Sequence, residues 1–117
     1  MPQSLAYLLT HLVFSTKDRA PYLNVAVRPS LHAYIATVVR NMHCECLRVG
    51  GVADHVHLAV VISRNIALAK LVEGIKVSSS KWIKTQSPEL ANFAWQRGYG
   101  AFAVSISQKD ILLRYID

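Results

Sequence analysis

The chain is poor in charged residues, in cysteine and in long apolar runs. Charged side chains make up only 17% of its 117 residues, whereas hydrophobic ones make up 52%. This balance excludes intrinsic disorder and indicates a single folded domain spanning residues 1–117. No apolar segment is long enough to span a bilayer, and the first residues lack the basic leader and cleavage site of a secretory signal. We therefore expect a cytoplasmic protein with no membrane partner.

The two cysteines, Cys44 and Cys46, lie two residues apart on a predicted strand. This spacing makes a disulfide between them geometrically implausible. Together with His43 and Glu45 they could suggest a zinc cluster, but structural zinc sites usually take four ligands and separate paired cysteines by about two to four residues. We interpret both as buried thiols.

Acidic residues are also scarce, since seven Asp and Glu face thirteen Lys and Arg and the net charge is +6. A basic excess on a small domain favours a polyanionic partner, above all nucleic acid. Basic domains without such a partner exist as well, so the placement of the charge matters more than its sum.

The apolar pattern predicts four strands and three helices. Strands are expected at 5–15, 44–49, 55–62 and 101–106, and helices at 29–42, 66–84 and from 107 onwards. Gly50 and Gly51 predict a turn that joins the second and third strands into a hairpin. The order predicts an α+β, ferredoxin-like βαββαβ fold, in which an antiparallel four-stranded sheet carries two helices on one face.

His55 and His57 occupy alternate positions of an otherwise apolar strand, so both point to one face of the sheet. The opposite face should contact the two helices; it carries Val56, Leu58, Val60 and Ile62. Neutral imidazole is a common metal ligand, and two imidazoles on rigid backbone provide half or more of a divalent-metal site. The spacing alone is also compatible with two partly exposed or hydrogen-bonded histidines.

The third helix is expected to carry a tyrosine, Tyr115, near its end. Ser107 is a suitable N-cap, and Asp110 completes an acidic variant of the capping box. Tyr115 follows Ile111 and Leu112 by four and three residues, which predicts a position on the apolar side of the helix. A tyrosine at such a position normally packs against the core.

Five ordered blocks resemble the single-tyrosine HUH transposases, small insertion-sequence transposases that cut and join single-stranded DNA, with relatives associated with repetitive extragenic palindromes. The blocks are FSTKDR (14–19), GGVADHVHL (50–58), EGIKVSSSKWI (73–83), WQRGYGAFAVS (95–105) and RYI (114–116). They cover nearly the whole chain. His-x-His alone is a weak motif, but five blocks in this order are specific.

The resemblance implies that His55 and His57 bind a divalent ion, Mg²⁺ or Mn²⁺, which polarises the scissile phosphate. It also implies that Tyr115 is the nucleophile and forms a 5′-phosphotyrosine while a 3′-hydroxyl is released. A metal neutralises charge on the phosphate oxygens, and a covalent intermediate conserves the bond energy for rejoining.

The resemblance further implies a homodimer that recognises DNA hairpins near the ends of its element. The candidates for phosphate contact are Lys17, Arg19, Lys76, Lys81, Lys84 and Arg97. A lysine stripe on a helix is usually a solvated face, and phosphate contact is the functional alternative for the one on the second helix. Trp82, Tyr99 and Phe102 are candidates for stacking on bases, although each could instead belong to the core.

The sequence departs from the family pattern after the tyrosine. Family members commonly place a Gln or another polar residue one helical turn later, at what would be position 119, to complete the metal site. We therefore expect a domain truncated at its C-terminus, and two protein ligands to the metal unless His11, Asp54 or Glu45 substitutes. The alternative functions are an inactive relative that acts as a nucleic-acid-binding module and a structural domain whose charge and histidines are incidental.

Overall fold

The computed structural model describes residues 7–117, which form one four-stranded sheet and three α-helices. The strands are β1 (Leu9–Ser15), β2 (Glu45–Gly51), β3 (His55–Val61) and β4 (Gly100–Ala103); the helices are α1 (Arg28–Asn41), α2 (Leu68–Ile83) and α3 (Lys109–Ile116). The strand order is β2-β3-β1-β4, and every pairing is antiparallel. The predicted ferredoxin-like α+β fold is confirmed. Among the described residues, no helix has the length and apolar character needed to cross a membrane.

The main core lies between α1, α2 and one face of the sheet. Alternation along β1 and β3 turns a set of large apolar side chains toward the helices, where they are almost fully buried: Leu12, Phe14, Val56, Leu58 and Val60. Each such side chain contributes about 1.5–3 kcal/mol through burial. This packing fixes which face of β3 is apolar and therefore leaves His55 and His57 on the opposite face.

Two element boundaries differ from the prediction in ways that concern the site. Gly50 and Gly51 do not form a turn; they are the last residues of β2 and pair with His57 and Val56, respectively. The reversal falls in residues 52–54 instead. The fourth strand is also shorter than expected and ends at Ala103. Of the predicted first strand, residues 5 and 6 lie outside the described part of the chain, and the strand begins at Leu9.

The predicted N-cap of the third helix is wrong. A 3-10 turn at Ile106–Gln108 precedes α3, and Gln108 occupies the N-cap position without a side-chain capping bond. The hydroxyl of Ser107 lies 3.0 Å from that of Ser105 instead. The capping sequence therefore indicated that a helix begins near this point, but a 3-10 turn comes first and α3 begins at Lys109.

α3 packs on the face of the sheet that α1 and α2 leave free. Leu112 and Ile116 form a second small core with Leu9 and Ala59. Close approach depends on Gly50, because a Cβ at that position would lie 2.5 Å from the carbonyl oxygen of Ile116. The glycine therefore serves the docking of α3, which explains why a residue typical of turns occurs within a strand.

Gly50→Ala is expected to loosen α3 while leaving the main core intact. The added methyl group meets backbone, which cannot move aside as a side chain can, and such overpacking typically costs about 1–3 kcal/mol. Hydrogen exchange followed by mass spectrometry should show faster exchange in residues 109–117. Gly74→Ala is the matched control, because its methyl group meets only the flexible thioether of Met42. Unchanged exchange in Gly50→Ala would contradict this account of the docking.

Candidate active site

The candidate site lies on the sheet face beneath α3, where adjacent strands and the helix bring four aromatic rings together. β3 supplies His55 and His57, β1 supplies His11, and α3 supplies Tyr115. In the register of the sheet His11 pairs with Ala59, two residues beyond His57, so the two histidines are diagonal neighbours on antiparallel strands. Their rings lie edge to edge, with centroids 5.1 Å apart and planes 23° from parallel.

His57 is held by a ring-to-ring hydrogen bond. His11 Nε2 lies 2.9 Å from His57 Nδ1, and the tautomers decide which nitrogen donates. Partial burial lowers the pKa of His57, and the neighbouring His55 and His11 lower this pKa further. Burial also lowers the pKa of His11. Both rings are therefore biased toward the neutral form, the form in which imidazole binds metals.

His55 is held by a carboxylate. His55 Nδ1–H donates to Asp54 Oδ1 over 2.7 Å, and Arg19 Nε donates to Asp54 Oδ2 over 3.1 Å. These two hydrogen bonds, the one from His55 first, lower the pKa of the Asp54 carboxyl. With Nδ1 protonated, the lone pair of His55 is on Nε2. A carboxylate behind a histidine is a frequent arrangement at metal sites, where it orients the ring.

The ring of Tyr115 stands edge-on against the histidines. Its centroid lies 5.5 Å from that of His57 and 5.8 Å from that of His11, with planes 88° and 78° apart. Tyr115 is nevertheless 66% exposed, since the buried side of α3 consists of Leu112 and Ile116. The prediction that Tyr115 lies on the apolar side of the helix is therefore wrong. Its ring is instead accessible to solvent and lies beside the rings of His57 and His11.

The donor atoms are compatible with a divalent ion held by two protein ligands. Within residues 7–117 no group of three or more His, Cys, Asp or Glu side chains converges on a common point. Of the possible substitutes for a third ligand, His11 bonds to His57, Asp54 bonds to His55 and Arg19, and Glu45 lies opposite Val61 at the far end of β3. The available donors are Nε2 of His55 and, when His57 Nδ1–H donates to His11, Nε2 of His57. Phosphate oxygens and water would complete the coordination, as they do at many phosphoryl-transfer sites.

The predicted phosphate-contact residues fall into two groups in space. Lys17 and Arg19 lie on a 3-10 turn that follows β1, and the Arg19 bond to Asp54 connects this turn to the site. The other four line an open cavity of about 440 Å³ between α2 and residues 93–97; they are Lys76, Lys81, Lys84 and Arg97. All except Lys76 are exposed. Their contact with DNA stays a prediction.

Lys76 has a structural role that the other basic residues lack. Its ammonium group donates to the carbonyl oxygens of Gln96, over 2.8 Å, and Gly98, over 2.6 Å. Partial burial lowers its pKa. Lys76 therefore links the segment before β4 to α2. A second hydrogen bond links them as well, since Trp95 Nε1–H donates to the Ser79 hydroxyl.

The predicted stacking residues also differ in accessibility. Trp82 is half-buried, and its ring stacks on that of Tyr34 on α1, with centroids 5.0 Å apart. Tyr99 and Phe102 are exposed, and Phe102 lies 6.0 Å from the ring of His11. Phe102 is thus the candidate stacking residue closest to the histidines, although stacking on bases stays a prediction for all three.

Sequence reasoning underestimated two residues at the site. Asp54 directly precedes the histidine pair, and this adjacency is a signal that it could orient His55. For His11 the signal is its position in β1. The apolar residues of that strand alternate toward the core, so His11 lies on the opposite face, the one that also carries the other two histidines. Neither signal predicts which ring nitrogen of His55 or His57 accepts or donates the hydrogen bond.

Two solved structures of transposases are similar to this fold. A candidate transposase from Deinococcus radiodurans superposes with a TM-score of 0.78 at 20% identity, over 99% of this chain and 95% of that one. A REP-associated tyrosine transposase bound to a REP hairpin superposes with a TM-score of 0.67 at 15% identity, over 99% of this chain and 70% of that one. The chain therefore shares its fold with these two proteins.

The chain belongs to the IS200-like transposases, whose family profile matches residues 4–117. The resemblance to single-tyrosine transposases is thereby confirmed over nearly the full chain. The comparison with curated proteins gave no match.

Proposed function

We propose that this transposase nicks and rejoins single-stranded DNA in a metal-dependent reaction that passes through a 5′-phosphotyrosine on Tyr115. The observation that carries the proposal is the edge-on contact between the Tyr115 ring and the ring of His57. An accessible phenol thus lies beside His57, whose ring in turn contacts that of His55, with centroids 4.8 Å apart. A nucleophile and an electrophilic centre must be within a few ångströms of one phosphate for phosphoryl transfer to proceed.

Each step of the proposed reaction has a role for His55, His57 or Tyr115. His55 and His57 would hold the ion, which would neutralise charge on the non-bridging oxygens of the scissile phosphate. Tyr115 gives its phenolic proton to solvent, and its oxygen bonds to phosphorus as the bond from phosphorus to the 3′-oxygen breaks; that oxygen takes up a proton from solvent. Rejoining reverses these bonds when a 3′-hydroxyl attacks the phosphotyrosine. No external energy source is needed, because one phosphodiester is exchanged for another.

A DNA hairpin is the proposed substrate. The structurally similar REP-associated transposase is bound to a hairpin, and the basic surface of this chain suits a phosphate backbone. Within residues 7–117, Lys17, Lys81, Lys84 and Arg97 take part in none of the ion pairs found. Their charge is therefore available to phosphates: Lys17 lies on the turn that follows β1, and the other three line the cavity along α2.

The combined substitution Lys81→Ala with Lys84→Ala is expected to lower the salt dependence of DNA binding. Each lost phosphate contact reduces the slope of log Kd against log salt by about 1. Fluorescence anisotropy with a labelled hairpin at several salt concentrations measures this slope. Lys70→Ala is the matched control on the same helix, because Lys70 pairs with Glu73 and does not line the cavity. Equal slopes for the wild type and the double variant would show that this cavity does not contact the DNA backbone.

We also propose a homodimer, as the resemblance implies. Phe102 on the edge strand β4 and Ile106 just after it are exposed apolar side chains, which suits a surface shared with a second copy. Analytical ultracentrifugation of the protein alone tests this point, and a single monomeric species at the concentrations used for DNA binding would contradict it.

The central experiment is the capture of the covalent intermediate. The protein is incubated with Mn²⁺ and hairpin-bearing single-stranded oligonucleotides taken from the DNA that flanks its gene. A denaturing gel should show a protein–DNA adduct, and mass spectrometry should locate the linkage on Tyr115. Hairpin binding that falls with salt but yields no adduct would instead identify a nucleic-acid-binding module without catalysis.

A further inference from the structure

We propose that His11 is a positioning residue for His57: its Nε2 accepts a hydrogen bond from His57 Nδ1–H and thereby keeps His57 Nε2 free for a divalent ion. This inference depends on the proposed metal role of His55 and His57. The contact length of 2.9 Å is that of a well-formed hydrogen bond. His11 lies 46 residues away in the chain, so only the pairing of β1 with β3 produces the contact.

The alternative direction of the hydrogen bond is incompatible with metal binding. If His11 Nε2–H donated, His57 Nδ1 would carry the lone pair and a neutral His57 would carry its proton on Nε2. That nitrogen could then not bind a metal. Metal binding therefore selects the tautomer in which His57 donates, and a fixed acceptor behind the ring favours this tautomer before the ion arrives.

The surroundings of His11 are suited to holding its ring in place. The ring lies edge to edge with that of His57, and it also contacts the rings of Phe102 and Tyr115. His55 receives equivalent support from Asp54 over 2.7 Å. Each histidine of the pair thus has its own orienting partner, a carboxylate for His55 and an imidazole for His57.

This geometry also distinguishes His11 from a third metal ligand. The Nε2 atom of His11 is engaged with His57, and no cluster of three potential ligands was found in the described part of the chain. A ligand and an orienting residue differ in a measurable way, because only the ligand adds a nitrogen to the coordination shell.

Two substitutions separate the acceptor atom from the packing of the ring. His11→Phe keeps an aromatic ring beside Phe102 and Tyr115 and removes the acceptor; His11→Gln removes the ring and offers an amide oxygen as acceptor. The affinity for Mn²⁺ alone, measured from the EPR signal of the free ion, should fall about 10- to 100-fold in His11→Phe. It should stay within about threefold of wild type in His11→Gln, and thermal unfolding should confirm that both variants are folded. Wild-type affinity in His11→Phe, or equal weakening in both variants, would overturn the proposal.

Pulsed EPR on bound Mn²⁺ provides the second readout, since it counts coordinated imidazole nitrogens. Two nitrogens in the wild type are expected; three would make His11 a ligand and overturn the positioning role. A separate result would show that His55 and His57 do not bind the metal at all. In that case His55→Ala with His57→Ala would bind Mn²⁺ as the wild type does, whatever the His11 variants show.

Discussion

Tyr115→Phe is expected to abolish the covalent protein–DNA adduct, with a loss of at least about 10³-fold, while hairpin binding stays within about twofold of wild type. The substitution removes only the phenolic oxygen, which is the atom that attacks phosphorus. The ring remains, so its edge-on contacts with His57 and His11 are preserved. Because the side chain is 66% exposed, little stability depends on its hydroxyl. A denaturing gel with a labelled hairpin oligonucleotide measures the adduct.

Tyr99→Phe is the matched control for this experiment. Tyr99 is another exposed tyrosine, and it immediately precedes β4 on the chain. No contact between its ring and those of the site histidines was found in the described residues. Its variant should form adduct at the wild-type rate. An adduct that persists in Tyr115→Phe and disappears in Tyr99→Phe would assign the nucleophile to Tyr99.

The combined substitution His55→Ala with His57→Ala is expected to eliminate measurable Mn²⁺ binding and to slow adduct formation by about 10²- to 10³-fold or more. Charge neutralisation by a metal is worth several kcal/mol in the transition state, and each 1.4 kcal/mol corresponds to about a tenfold change in rate. Calorimetric titration with Mn²⁺ and the adduct assay measure the two effects separately.

The fold should tolerate this double substitution. Both histidines lie on the sheet face away from the main core, whereas Val56 and Leu58 on the other face are fully buried. His43→Asn is the control, since His43 is exposed outside the site and has φ 65°, a conformation that asparagine accepts readily. Adduct formation that survives both the double substitution and EDTA would remove the metal from the proposed mechanism.

Much of the frame was predictable because it depends on local periodicity. The alternation in β3 placed His55 and His57 on one face and the apolar residues on the other, and the structure shows this division. The spacing of apolar residues likewise predicted α2, whose observed bounds, Leu68–Ile83, lie within 66–84. The ordered motifs indicated the family, which the profile match over residues 4–117 confirms.

The sequence-based predictions were wrong where the role of a residue depends on contact with a part of the chain that is distant in sequence. Gly50 predicted a turn because glycine is common there, but its lack of a side chain admits the backbone of α3. Tyr115 was expected to lie on an apolar helix side, yet docking through Leu112 and Ile116 left it accessible beside the histidines. Both outcomes depend on how α3 sits on the sheet, and a helical pattern of eight residues does not contain that information.

The amino-acid sequence by itself determined the order of the elements, the shared face of His55 and His57, and the family. Tertiary structure alone decided that His11 bonds to His57, that the Tyr115 ring contacts that of His57 edge-on, and that Lys76 bonds to backbone in the segment before β4. The physical reason is that alternation and helical spacing repeat within a few residues. Contacts between strands and across layers depend instead on register, in which a shift of a single residue turns each side chain to the opposite face.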